Sequence, residues 1–269
     1  MKIIDAHLHF SRRDAYFDNI AVAAGHENSA EHLAAAYQRY GIELGIVMGN
    51  EPLELTDVNY PNGLRYLVGI DDIIFAHSDS RERLALVERH LQRKNCLGIK
   101  LYPGYRFFYI YDDGLAPLYE LAVKYDKPVA VHTGLTAGSN ALLKYSHPMV
   151  MDEAAVKFPA VRFVMCHFGE PWFDDAAAVM EKNPQITADL SGMLEGKITD
   201  MRDFLRRKKY FVDKLKYVLA YLDSYDRFMF GTDWPLANLE DYIEFTKAVV
   251  PSEAWEQVFY ANARRIYGL

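Results

Sequence analysis

Eight short runs rich in Val, Ile, Phe and Tyr recur along this chain, and their even spacing constrains its fold more than any other feature. They cover residues 2–10, 42–48, 64–70, 96–102, 128–133, 161–167, 185–190 and 227–231. The runs are nearly continuous in apolar residues, as expected for strands of a parallel sheet with both faces covered. Their onsets repeat at about 32 residues, the length of one strand and one crossover helix. Apolar residues at three- and four-residue spacing predict helices over 30–40, 81–94 with Ser80 as its cap, 115–125, 174–182 and 251–267. Residues 50–62 hold two prolines and no helical period, so the second crossover is expected to be irregular.

No linker or shift in composition divides the 269 residues, which predicts one domain over 1–269. Eight such repeats close into a single (β/α)8 barrel, with a doubly wound open sheet as the alternative. Hydrophobic residues make up 51% of the chain, enough for the large core this requires. The net charge of −7 and the lack of a Lys/Arg block argue against nucleic acid as a partner. No apolar stretch reaches the roughly 18–20 residues that cross a bilayer, so no membrane association is expected. Asp5 interrupts the segment where a signal peptide needs its apolar core, which makes the cytoplasm the expected compartment. Cys96 and Cys166 read as small buried hydrophobes on strands 4 and 6. One intervening strand would hold them roughly 9–10 Å apart, too far for a disulfide.

The residues able to do demanding chemistry cluster at the C-terminal ends of the predicted strands. They are Asp5-Ala6-His7-Leu8-His9 on the first, Lys100 on the fourth, His132 on the fifth, His167 on the sixth and Asp233 after the eighth. In a parallel barrel that rim is where active sites are built. Strand alternation puts His7 and His9 on one side, about 6–7 Å apart in rise, with Ala6 and Leu8 facing the helices. Those two imidazoles, one of His132 and His167, and the Asp233 carboxylate form a set that suits catalytic zinc, which takes three or four N and O ligands. A lone His-x-His or a lone Asp would be unremarkable. Four of nine histidines at one end of three strands, beside a Lys and an Asp on two more, are not.

His26, His32, His77, His90 and His147 lie among charged neighbours and are expected on the solvated surface. Lys100 has three readings: a cation for a substrate carboxylate, a carbamylated bridge between two metals, or a neutral base. The first is preferred, with Arg106 as a second anchor. Tyr102 and the aromatic run to Tyr109 suit a loop over a planar ligand, or a rim packed on other loops or on a second subunit in a homodimer. Trp172 and Trp234 would wall the pocket or plug its rim.

These motifs together resemble the amidohydrolase superfamily. Within it they are similar to the amidohydrolase-related branch that includes aminocarboxymuconate-semialdehyde decarboxylase and 2-pyrone-4,6-dicarboxylate lactonase. The resemblance runs from Ile3-Ile4-Asp5-Ala6-His7-Leu8-His9 through Gly98-Ile99-Lys100-Leu101-Tyr102-Pro103, Val131-His132-Thr133-Gly134 and Cys166-His167-Phe168-Gly169 to Phe230-Gly231-Thr232-Asp233-Trp234-Pro235. Asp189-Leu190-Ser191 and the segment from Asn262 to Tyr267 also fit it. It implies a TIM barrel of the metal-dependent hydrolase type. It also implies that His7, His9, His132 and Asp233 hold one divalent ion, usually zinc with manganese as the other option, and that His167 acts as general acid or base. Lys100 stands where binuclear relatives carry a bridging carbamylated lysine, so the metal count stays open.

The expected reaction is metal-assisted hydrolysis of an ester, lactone or amide carbonyl in a small carboxylated molecule, with Asp233 and His167 catalytic and Lys100, Tyr102, Arg106 and Trp172 binding substrate. The alternatives are nonoxidative decarboxylation of an unsaturated or aromatic acid at the same metal, and a binding barrel without turnover.

Overall fold

All eight apolar runs form strands. A computed structural model describes residues 1–11, 15–54, 60–70 and 80–269. Its strands are β1 (Ile3–Leu8), β2 (Ile42–Met48), β3 (Leu64–Ile70), β4 (Cys96–Leu101), β5 (Val129–Val131), β6 (Phe163–Met165), β7 (Thr187–Asp189) and β8 (Phe228–Met229). They pair in parallel in sequence order. The ring closes where Ala6 N–H donates to the Phe230 carbonyl at 2.9 Å and Leu8 bridges to Trp234. The second half of the barrel has strands of only two or three residues, because the chain leaves the ladder soon after entering it. The fold is a TIM barrel.

Two apolar layers follow from strand alternation. Ile4, Ala6, Ile46, Met48, Leu67, Ala130 and Val164 fill the interior, joined by Ile266 and Tyr267 near the C-terminus. Ile3, Leu8, Val47, Val68, Ile99 and Leu101 pack outward against the helices. Ala6 therefore faces the interior, not the helices as simple alternation predicts. A register shift between Asp5 and Leu8, where three residues advance against two of β2, resets the alternation. Asp5 and Leu8 are left outside while Ala6 is inside.

The helices are α1 (Ala15–Ala23), α2 (Ala30–Tyr40), α3 (Ser80–Leu91), α4 (Ala116–Lys124), α5 (Val150–Lys157), α6 (Phe173–Lys182), α7 (Met201–Arg207), α8 (Lys209–Tyr221), α9 (Leu239–Val249) and α10 (Asn262–Tyr267). Helix α2 shows why the sequence folds this way locally. Ser29 Oγ accepts from the His32 N–H at 3.2 Å, and Gly41, at φ 72°, ends the helix in the left-handed region. Ser80 is the first helical residue of α3 rather than its cap. The single helix expected over 251–267 is broken: a π-turn at Gln257–Ala261 precedes α10, and the Val258 carbonyl accepts from Phe230 N–H at 2.8 Å. The last helix is thereby tied to the end of β8. Part of the irregular second crossover and His77 lie outside the described residues. Among the described residues no helix is long and apolar enough to cross a membrane. Both cysteines are free and buried, Cys96 on β4 and Cys166 just past β6.

Candidate metal centre

His7 is wholly buried, and its Nδ1 lies 2.9 Å from Asp189 Oδ2 at the end of β7. A carboxylate can only accept there, so Nδ1 carries the proton and Nε2 is left with a lone pair. That Nε2 faces Asp233 Oδ1 at 3.4 Å, and His9 Nε2 stands 3.3 Å from the same oxygen. His7 Nε2, His9 Nδ1 and Asp233 Oδ1 are all buried without a hydrogen-bond partner. An imidazole lone pair pointed at a carboxylate lone pair repels it unless a cation sits between them. Ligands about 2.1 Å from one tetrahedral ion lie roughly 3.4 Å apart, the spacing found here. His7, His9 and Asp233 thus form a group whose donor set and spacing fit a divalent ion.

Burial drives this centre toward neutral imidazoles, and the imidazoles in turn keep its carboxylates charged. It pushes the pKa of His7 down, that of His132 well down and that of His167 to about 3. Burial alone would raise Asp233 and Asp189, but the surrounding imidazoles outweigh it and hold both below the usual carboxylate range. The lone pairs a metal needs are therefore free at neutral pH.

Local backbone geometry brings Asp233 to strand 1. Thr232 and Asp233 both donate their N–H to the His7 carbonyl, at 3.1 and 2.8 Å, and Asp233 takes a left-handed φ of 56°. Asp is among the few residues that tolerate that region. Asp5 stitches the same junction: its carboxylate accepts from Thr232 N–H at 2.9 Å, Thr232 Oγ1 at 2.6 Å and the Tyr37 hydroxyl at 3.2 Å.

Asp189, which the sequence reading left without a role, organises the other side. Its Oδ1 accepts from the His167 N–H at 3.0 Å and from Ser191 Oγ. Ser191 Oγ, its hydrogen so committed, lies 2.9 Å from His167 Nδ1 and must accept there. His167 therefore keeps its proton on Nδ1, and its Nε2 is a base. The ring lies 4.6 Å from that of His7 and packs on Gly192 at φ 71°, where a Cβ would stand 2.6 Å from His167 Nδ1. Gly192→Ala is expected to displace the imidazole, cutting kcat by about 10²-fold while metal content stays near that of the wild type. Steady-state kinetics paired with elemental analysis checks this, and an unchanged kcat would show that His167 needs no such seat.

A cavity of about 490 Å³ opens above these residues. Its wall includes His9, Phe17, Tyr102, Tyr105, His132, His167, Asp233 and Leu236. His132 donates from Nε2 to the Leu135 carbonyl at 3.1 Å, leaving its Nδ1 lone pair, and its ring sits 5.0 Å from that of His167. It shares the cavity but lies outside the tight group of His7, His9 and Asp233. Lys100 is not on this wall. It is fully buried in the barrel, with Nζ 2.9 Å from Cys166 Sγ. Arg106 is half-buried and also off the wall, and Trp172 packs on His147 with ring centroids 4.7 Å apart. Among the described residues no Lys or Arg lines the cavity, so the carboxylate anchor expected from Lys100 and Arg106 is not assembled there.

Two of the histidines expected on the surface are buried. His26 is 9% exposed, donates from Nδ1 to His32 Nε2 at 2.9 Å and accepts from Leu239 N–H at 3.2 Å. His90 is 4% exposed between the Tyr66 hydroxyl and the Leu53 carbonyl. Each imidazole finds two polar partners, which makes its burial tolerable whatever its neighbours in sequence. His147 keeps its expected place near the surface, 3.6 Å from Asp175.

The depressed histidines lower the stability of the metal-free protein as pH falls, opposed in part by Asp5, whose carboxyl pKa is lifted by burial to about 7. Unfolded chains take up protons near pH 6.5, whereas burial lowers the pKa of His7 and lowers those of His132 and His167 strongly. Their contribution to stability is full above pH 6.5 and is lost as pH falls toward about 3, the value for His167. Tm of the metal-free protein is therefore expected to drop steadily from pH 7 to pH 4, with a shallower slope for His167→Asn. Equal slopes would exclude His167 as a source.

A match to the family described as Amidohydrolase spans residues 4–269. No curated protein matches the chain. Among solved structures, an uncharacterized TIM-barrel protein from Bordetella bronchiseptica is similar with a TM-score of 0.75 at 21% identity, over 100% of this chain and 99% of that one. A putative 2-pyrone-4,6-dicarboxylic acid hydrolase from Pseudomonas putida is similar with a TM-score of 0.64 at 15% identity, over 99% and 97%. A 2,6-dihydroxybenzoate decarboxylase from Rhizobium follows with a TM-score of 0.63 at 13% identity, over 100% and 99%. At these identities the likeness is one of fold.

Proposed function

The chain belongs to the amidohydrolase family, and on that premise we propose that it is a metal-dependent hydrolase acting on the ester, lactone or amide carbonyl of a small planar molecule. One observation carries this reading: the unpartnered His7 Nε2 and Asp233 Oδ1, 3.4 Å apart, with His9 against the same oxygen. His7, His9 and Asp233 would hold one divalent ion, with His132 on the wall of the same cavity as a further ligand. The all-N/O donor set at tetrahedral spacing favours zinc over the larger oxygen-seeking cations. When bound, such an ion lowers the pKa of a water from 15.7 toward about 7 and polarises a carbonyl.

The chain supplies the rest. Asp233, ionised and at the centre of the group, takes the proton of the attacking water and passes it to the leaving group. His167, neutral with a free Nε2, orients that water or accepts its proton. Tyr105 accepts the Ala137 N–H at 2.8 Å on its hydroxyl oxygen, which frees its own hydrogen to donate to the developing oxyanion. Phe17, Tyr102, Pro235 and Leu236 give flat apolar walls that suit a ring and exclude water.

The lack, among the described residues, of a Lys or Arg on the cavity wall to hold a substrate carboxylate favours hydrolysis over decarboxylation. The test is to offer the metal-loaded protein aromatic and aliphatic lactones and esters beside phenolic and muconic acids. Acid release from a lactone or ester supports the proposal. Bicarbonate formation from the acids, without lactone opening, would replace it by the decarboxylase reading.

A further inference from the structure

Lys100 and Cys166 are a pair that the proposed hydrolysis does not use. Both are 0% exposed, Lys100 reaching from β4 across the barrel interior to the residue just past β6. Lys100 Nζ and Cys166 Sγ stand 2.9 Å apart, closer than an ordinary hydrogen bond to the large sulfur atom. Among the described residues no carboxylate is in ion-pair range of Lys100; the Tyr102 ring lies 5.3 Å from Nζ, the imidazoles of His7, His132 and His167 feel its charge, and Cys166 Sγ lies within 4.8 Å of His7 and the Asp189 carboxylate. A buried lysine is normally held by an acid. Here the thiol takes that place, and burial keeps the thiol protonated by pushing its pKa up.

The pair is sealed from bulk water yet lies directly beneath the cavity. His167, the next residue after Cys166, and Tyr102, two residues after Lys100, both form its wall. A small apolar oxidant entering that cavity would meet nitrogen and sulfur already in contact, with no room for separate hydration of either.

We propose that Lys100 and Cys166 form a reversible covalent bridge through one oxygen atom, Nζ–O–Sγ, when the protein is exposed to dioxygen. One atom of dioxygen becomes the bridge. The other leaves as water, carrying the thiol hydrogen and one hydrogen from the lysine nitrogen; starting from the ammonium, one further proton is released. Nitrogen and sulfur each give up two electrons, and dioxygen takes all four. Two equivalents of a dithiol reductant return the four electrons: the first cleaves the O–S bond, the second cleaves N–O, and the bridging oxygen leaves as water, restoring amine and thiol. The bridge ties β4 to the turn that aims His167, beneath the metal centre, so the oxidation state of the solution is written into the floor of the site.

The experiment compares full-length protein prepared without oxygen with the same protein held in air-saturated buffer. Intact mass is read under denaturing conditions with no reductant, followed by peptide mapping. The air-exposed wild type is expected to gain the mass of one oxygen less two hydrogens. It should lose that gain on treatment with dithiothreitol, join the peptides containing Lys100 and Cys166, and resist tryptic cleavage after Lys100. Cys166→Ser and Lys100→Met should show none of this. No mass change in air overturns the proposal. So does a gain of whole oxygen atoms without loss of hydrogen, or a gain that persists in Lys100→Met, since either is ordinary oxidation of cysteine to its oxyacids. The wild-type measurement decides the matter even if one variant fails to fold.

Discussion

Asp233→Asn and His9→Ala are expected to leave purification with far less divalent metal than the wild type and to lose about 10²–10⁴-fold in kcat/KM. Asp233 Oδ1 is the atom that His7 Nε2 and His9 Nε2 both face, at 3.4 and 3.3 Å. Asparagine keeps the volume but removes the charge, and alanine at position 9 removes a nitrogen donor outright. The same clash of lone pairs predicts an opposite effect on the metal-free protein. There the amide introduced by Asp233→Asn can donate to His7 Nε2, so the chelated variant should be at least as stable as chelated wild type, by about 1 kcal/mol. Elemental analysis and thermal unfolding of the chelated proteins check both halves. Unchanged metal in both variants would remove these residues as ligands.

Asp189→Asn is expected to weaken metal binding by about 10–100-fold although Asp189 is not assigned as a ligand. Its carboxylate fixes the His7 proton on Nδ1 and, through Ser191 and the His167 N–H, does the same for His167. An amide at this position that presents its N–H to His7 would force the proton onto Nε2, the nitrogen that must bind the ion. Turnover should fall further than metal affinity, because His167 loses its orientation as well. Chelator competition for affinity and kcat at saturating metal separate the two effects. Wild-type affinity in Asp189→Asn would show that His7 is oriented by something else.

Much of this was legible beforehand, and the reason is local. The strand cores at 42–48 and 64–70 agree with the structure at both ends, and α2 matches at 30–40, because apolar periodicity and caps act over a few residues. His7, His9, His132, His167 and Asp233 could be grouped in advance because a parallel barrel sends every strand end to one rim. Helices α8 and α9 went unread although both carry a signal. Val212, Leu215, Val218 and Leu219 mark one face of α8, and Asn238 caps α9 with its Oδ1 on the Glu240 N–H.

What went unread depended on partners distant in sequence. Asp189 is an ordinary acid after a strand until β7 sets it beside His7, 182 positions earlier. Lys100 sits at a strand end like the histidines, yet its side chain turns into the barrel toward Cys166 and not into the cavity. His26 and His90 look solvated among charged neighbours, but tertiary contacts give each of their ring nitrogens a partner.

The chain by itself therefore determined the repeat, the barrel and the set of side chains brought to its rim, since these follow from periodicity and from where strands end. Only the folded barrel decided which of those side chains stand close enough to share an ion, which imidazole nitrogen holds a proton and where the lysine charge lies. Those outcomes turn on ångström-scale contacts across the sheet and on a one-residue bulge in β1, and no pattern along the sequence encodes either.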